Sequence, residues 1–291
     1  MASGDDNKKL PISTLLIFAA LDSEALPIIQ HFKLSPDNGS FSLNIFRFPI
    51  TVPWIRYHGY YKDLSINLIY PGKDRDLGGC FISCFLLLCN AISFSGINSV
   101  GSVPASLVTY ASIQALKPDL FINAGTAGGF KVKGACIFDV FLVSDLAFHD
   151  RRIPIPGPDK YGLGRRKSFS TPNLVKELNL KVCKLSTGDS LDMSPQDEIC
   201  ILANDATVVD MELLGYCSKI SLFEFQGAAL AYVSSLMRVP AIFIKAVSNF
   251  VDGEKSIPEE FAENLQATVV ALGEVVAYVV EFINGKCLSE L

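Results

Sequence analysis

The chain has 291 residues, is 49% hydrophobic and carries a formal net charge of −5, and its length is enough for one large core or two modest ones. The mild acidity and the lack of a Lys/Arg stripe speak against a nucleic-acid surface. Its eight cysteines form no CxxC pair, and they read as reduced thiols with no zinc site.

The opening residues, with Asp5, Asp6, Lys8 and Lys9, form a polar tail over 1–12. They lack the form of a signal peptide, so a cytoplasmic location is expected. Thr14–Ala20 reads as a first buried strand. Leu21–Pro27 ends it and starts a helix running through Phe32. Glu24 has two readings here. It is a first-turn acid favoured by the helix dipole, or a carboxylate placed for chemistry past a buried strand. Residues 34–53 are irregular. Trp54–Gly59 and Leu64–Tyr70 read as paired strands, and Pro71–Asp76 as a charged loop.

No charge occurs from Leu77 to Leu116. Leu77–Ile97 approaches the length of a membrane span. Asn90, the serines and the glycines weaken that reading, so membrane contact is not expected. Ser99–Leu116 reads as a helix. It leads into Leu120–Ile122, a short buried strand, and then into the Gly/Thr-rich loop Asn123–Gly129. Glycines at a strand end allow sharp turns and close approach to a ligand, and ligands of open α/β sheets gather at such ends.

Further strands are expected over Ile137–Ser144, Lys181–Ser186, Thr207–Glu212 and Val239–Val247. Helices are expected over Pro172–Leu178 and Gly227–Met237. A capping box, Ser256–Glu259, opens a final helix that reaches Phe282 and stops at Gly285. His31, His58 and His149 are far apart in sequence and read as structural or solvated. Strands alternating with helices give an α/β fold, a three-layer sandwich in which helices flank a central, mostly parallel mixed sheet. No linker divides residues 13–291, so one domain is expected.

Polar chemistry gathers at four strand ends: Glu24, Thr126 with its glycines, Asp210/Glu212, and Ser248-Asn249. With these the chain resembles the nucleoside phosphorylase-I family, and within it the plant methylthioadenosine/S-adenosylhomocysteine nucleosidases. The resemblance rests on SEALP (Ser23–Pro27), PGKDRDLG (Pro71–Gly78), the stretch Asn98–Ala135 with its NAGTAGG, FHDRRIPIP (Phe148–Pro156), LSTGDSLDMSPQDE (Leu185–Glu198), ANDATVVDME (Ala203–Glu212), GAALAYV (Gly227–Val233) and VDGEK (Val251–Lys255).

That resemblance implies hydrolysis of the N-glycosidic bond of 5′-methylthioadenosine, with S-adenosylhomocysteine as a second substrate, to adenine and methylthioribose in methionine salvage. It implies a homodimer with a small-molecule nucleoside substrate and no metal or cofactor. By similarity, Glu24 deprotonates the attacking water and Glu212 binds the ribose hydroxyls. Met211 packs on the sugar, and the Leu191 backbone reads the adenine edge. Thr126, Ala127 and Gly128 line the purine and water side. Leu21 belongs to the 5′-thioether pocket, and Ser248 and Asn249 face the purine. The absence of arginine near Glu24 and in the Ile122–Phe130 loop favours water over phosphate as the acceptor, since phosphate sites use guanidinium or ammonium donors; Lys73 and Arg75 remain as candidate phosphate ligands.

Three features depart from the family pattern. Asn249 stands where the family has an aspartic acid that protonates purine N7. The inserts 79–96 and 213–226 each split a family motif. They read as translated intronic sequence, or else as the altered loops of a paralog. The alternative function is a catalytically impaired or mis-spliced form that binds purine nucleosides without efficient turnover.

Overall fold

The computed structural model describes residues 10–37, 48–49, 51–74, 97–99, 101–151, 163–190, 193–210, 212–214, 221–223 and 226–291. Among them the strands are β1 (Thr14–Phe18), β2 (Ser35–Pro36), β3 (Ile55–Tyr61), β4 (Leu64–Tyr70), β5 (Lys73–Asp74), β6 (Ile97–Asn98), β7 (Leu120–Gly129), β8 (Val140–Phe148), β9 (Arg166–Lys167), β10 (Lys181–Thr187), β11 (Val208–Asp210), β12 (Glu212–Leu214), β13 (Ser221–Phe223) and β14 (Ala241–Phe250). The helices are α1 (Asp22–Phe32), α2 (Ser102–Leu116), α3 (Pro172–Glu177), α4 (Pro195–Ala203), α5 (Gly227–Met237) and α6 (Ile257–Ile283).

One sheet runs in the order β11-β10-β8-β14-β7-β1-β4-β3-β2. Its centre is parallel, with β1 between β4 and β7, and β14 beside β7. β8 lies antiparallel to β14 and carries β10 parallel to itself. β11 pairs with β10 and also, antiparallel, with Gly128 and Gly129 of β7. That last pairing closes β7, β14, β8, β10 and β11 into a ring.

The central strands are apolar at every position over Leu15–Phe18, Leu120–Ile122 and Ala241–Ile244, because both faces are covered there. Leu15, Ile17, Leu120, Ile122, Ile242 and Ile244 face one layer, with Ala25 and Ile28 of α1 and Leu272, Val276 and Val279 of α6. Their sequence neighbours Leu16, Phe18, Phe121 and Phe243 face the other, with Ala105 and Val108 of α2 and Ala228–Ala231 of α5. Period-two alternation thus feeds two cores and makes three layers, as the pattern of strands and helices implied.

Two elements differ from the sequence expectation. β7 does not break at Asn123 but continues through Gly129, because β14 pairs with it as far as Phe250 and β11 caps its far end. The strand expected over Thr207–Glu212 is split, with β11 ending at Asp210 and Glu212–Leu214 pairing instead with Ser221–Phe223 in a separate ribbon. All of that ribbon except Glu212 lies within the second insert. The first insert, 79–96, and the apolar run Cys80–Phe94 fall outside the described residues. α6 is long and apolar enough to cross a membrane, yet half of its most apolar window is buried within the fold. That is the pattern of a core helix.

Candidate active site

Glu24 is the organising residue. It lies in the first turn of α1, immediately past the C-terminal end of β1, and is fully buried. Its Oε2 accepts from the N–H groups of Ala20 (3.0 Å) and Leu21 (3.2 Å). Its Oε1 accepts from the Thr126 N–H of β7 at 2.6 Å. One carboxylate therefore joins two strand ends and satisfies the N-cap donor of its own helix. The helix-start reading of Glu24 holds, and the same carboxylate sits at the carboxyl end of the central strands β1 and β7. Burial pushes its pKa up, while the nearby Lys245 ammonium and the three N–H donors pull it back.

The neighbouring strand β14 carries a bulge. Val247 pairs with Ala127, but the next β7 residue, Gly128, pairs with Asn249, so Ser248 is extra. A bulge re-aims the side chains around it. α6 pins this one: Asn264 Nδ2 donates to the Ser248 carbonyl at 3.0 Å, and Glu260 accepts the Phe250 N–H at 2.6 Å. The Ser248 hydroxyl is within reach of Asn249 Oδ1 (2.9 Å) and the Ala127 carbonyl (3.3 Å). With Oδ1 accepting from Ser248, Asn249 presents its Nδ2 donor. That nitrogen sits over Gly128, where an added Cβ would come within 3.2 Å of it and within 2.9 Å of Val251. The carboxylate of Asp252, three residues on, is engaged elsewhere, accepting from the Lys131 and Val132 N–H groups at 2.7 and 2.9 Å.

Lys245 was not singled out by the sequence. It is 2% exposed in the middle of β14, beside Gly125 of β7. Its ammonium lies 3.4 Å from Asp210 Oδ2, which also accepts the Gly227 N–H at 2.8 Å. A buried cation thus stands between two buried carboxylates, Asp210 and Glu24. The available signal was one charge inside VPAIFIKAV, a run otherwise fit only for a core.

The profile of the phosphorylase superfamily matches residues 16–283. The chain belongs to the phosphorylase superfamily. Over 284 residues, 98% of this chain and 97% of the relative, it is 52% identical to the 5′-methylthioadenosine/S-adenosylhomocysteine nucleosidase of Arabidopsis thaliana. A 5′-methylthioadenosine nucleosidase of the same plant is 52% identical over 97% of this chain and 91% of the relative. The apo structure of an Arabidopsis thaliana 5′-methylthioadenosine nucleosidase superposes with a TM-score of 0.82 at 51% identity, over 97% of this chain and all of the other.

In this superfamily member the structure brings Glu24, Leu21, Thr126, Ala127, Gly128, Ser248 and Asn249 to the ends of β1, β7 and β14. Leu21 is 1% exposed. Leu191 and Met211 lie outside the described residues, and Glu212 is described in its backbone alone. The segment leading to Leu191 is tied down from two sides. Asp150 accepts from the Asp189 and Ser190 N–H groups, and Asp189 in turn accepts from the Ser102 N–H at 2.8 Å and from the Ser102 hydroxyl. Buried His149 fills the space at Gly188, where a Cβ would fall 2.1 Å from its Nε2. Among the described residues no cluster of three or more His, Cys, Asp or Glu could hold a metal.

Proposed function

We propose that the protein is a nucleosidase that cleaves the N-glycosidic bond of 5′-methylthioadenosine with water, releasing adenine and methylthioribose. The observation that carries this reading is the buried Glu24 carboxylate, held at the carboxyl ends of the central strands, where Thr126–Gly128 and Asn249 also lie. The activity its plant relatives are named for needs a base in such a place.

Glu24 takes a proton from the attacking water as the new C1′–O bond forms. The C1′–N9 bond breaks, and its electron pair leaves with the purine. The Asn249 amide donates a hydrogen bond to N7 but has no proton to give, so the proton that completes adenine comes from solvent. Slow turnover follows from that substitution. Leu21 lies under the apolar 5′ group, which suits methylthio better than the charged homocysteine of S-adenosylhomocysteine.

Water rather than phosphate is the acceptor. Among the described residues Lys245, the cation that acts on Glu24, is already matched by Asp210 at 3.4 Å, and Lys73 lies 3.9 Å from Asp22. Adenine release in phosphate-free buffer, with free methylthioribose as the co-product, is the expected result. A strict requirement for phosphate, with a sugar 1-phosphate as product, would make the protein a phosphorylase. Tight nucleoside binding with no adenine released would make it a binding protein.

The protein works as a homodimer in this reading. Val103, Leu107 and Tyr110 of α2 and Tyr232 and Leu236 of α5 are exposed on neighbouring helices, an apolar face of the kind a second copy covers. α2 also bears the Ser102–Asp189 link to the segment before Leu191.

A further inference from the structure

Asn249 stands beside the bulge of β14, and whatever holds that bulge decides where the Asn249 side chain points. Val247 pairs with Ala127 and Asn249 with Gly128, which leaves Ser248 extra. A slip of one residue would put Ser248 opposite Gly128 instead. A bulge interrupts the ladder, so the backbone groups beside it need partners from elsewhere. Two partners come from α6. The Ser248 carbonyl accepts from Asn264 Nδ2 at 3.0 Å, and the Phe250 N–H donates to Glu260 Oε2 at 2.6 Å. That carbonyl belongs to the peptide unit before the Asn249 Cα, and that N–H to the unit after it. Each peptide unit is planar, and only φ and ψ of residue 249 join the two. Holding a group in each unit therefore restricts both angles, and with them the direction of the Cα–Cβ bond. Glu260 and Asn264 are four residues apart on α6, the spacing that puts two side chains on one face. One offers an acceptor and the other a donor, matching the N–H and the C=O that they meet.

We propose that Glu260 and Asn264 are positioning residues for the reaction: they bracket residue 249 and aim its side chain at purine N7. This rests on the nucleosidase reading above, and it gives a part to two side chains that the mechanism does not otherwise use. The bracket matters most for proton transfer. An acid must come within hydrogen-bond reach of the atom it protonates, and a misplacement of about 1 Å can cost about 10²-fold in rate. α6 therefore sets how much an acid at position 249 can contribute.

The test is a double-mutant cycle on adenine release from 5′-methylthioadenosine in phosphate-free buffer. Asn249→Asp should raise kcat by about 10²-fold or more in the otherwise unchanged chain. Beside Glu260→Met the same substitution should gain less than about tenfold, the loss falling on kcat rather than on KM. Glu260→Gln still offers an oxygen to the Phe250 N–H and should keep the gain. Asn264→Leu removes the other arm of the bracket and is the second variant should Glu260→Met fail to fold. A gain of one size in every folded background overturns the proposal and leaves the nucleosidase reading intact. So does a gain lost in Glu260→Gln as fully as in Glu260→Met, which would make the charge and not the hydrogen bond the cause. No gain from Asn249→Asp with Glu260 and Asn264 in place overturns it too, because position 249 then needs no aiming. Adenine released by neither the wild type nor Asn249→Asp, both folded, overturns the nucleosidase reading along with it.

Discussion

At the residue scale the decisive position is Asn249. Its amide is oriented by Ser248 and lies over Gly128, and in the proposed mechanism it hydrogen-bonds N7 without a proton to give. Asn249→Asp should therefore raise kcat for adenine release by about 10²-fold or more, since a positioned general acid contributes about 10²–10⁴-fold; initial rates measure it. Lys245 acts on Glu24 rather than on substrate. Burial raises the Glu24 pKa and Lys245 lowers it. The base works only when ionised, so activity is lost as pH falls through that pKa. Removing the cation in Lys245→Met raises the pKa further and should move the acid limb of kcat/KM to higher pH, whereas Lys245→Arg should leave it in place. Glu24, Thr126–Gly128 and Ser248-Asn249 were legible because each puts polar or glycine residues straight after an apolar strand. Lys245 was not, because its partner Asp210 lies far off in sequence and its neighbours signal only core.

At the element scale the sequence marked α5 to its end residues, Gly227 and Met237, since the helix lies between an abrupt insert and a strand. It missed α4, although Ser194 and Asp197 form a reciprocal cap there; a helix of nine residues shows too few turns for its period to stand out. Ser256 is the N-cap of α6 as expected, but its side chain makes no capping bond. α2 takes its N-terminal cap from another element, through the Asp189 carboxylate on Ser102. Asp189→Ala should cost about 0.5–2 kcal/mol, as loss of an N-cap does, read by urea denaturation. It should also raise KM for the nucleoside, because the same residue steadies the approach to Leu191.

At the scale of the whole molecule, the three layers could be read from alternating strands and helices, while the closure of β11 onto β7 could not. Antiparallel pairing at Gly128 and Gly129 depends on contacts between distant segments, which local pattern does not record. The same limit applies to the apolar face of α2 and α5. If a second copy covers it, Leu107→Glu should turn a dimer into a monomer by light scattering at unchanged fold, and a wild type already monomeric would refute that assembly. The two inserts bear on the molecule as a gene product, and sequencing the transcript decides between intronic sequence and true loops. The account as a whole turns on Glu24 as the base that activates water. The measurement that tests it most directly is adenine release from 5′-methylthioadenosine in phosphate-free buffer by the wild type beside Glu24→Gln. Release by the wild type, slowed by about 10²–10⁴-fold in the variant, is the predicted result. A folded Glu24→Gln protein that releases adenine at the wild-type rate would contradict it.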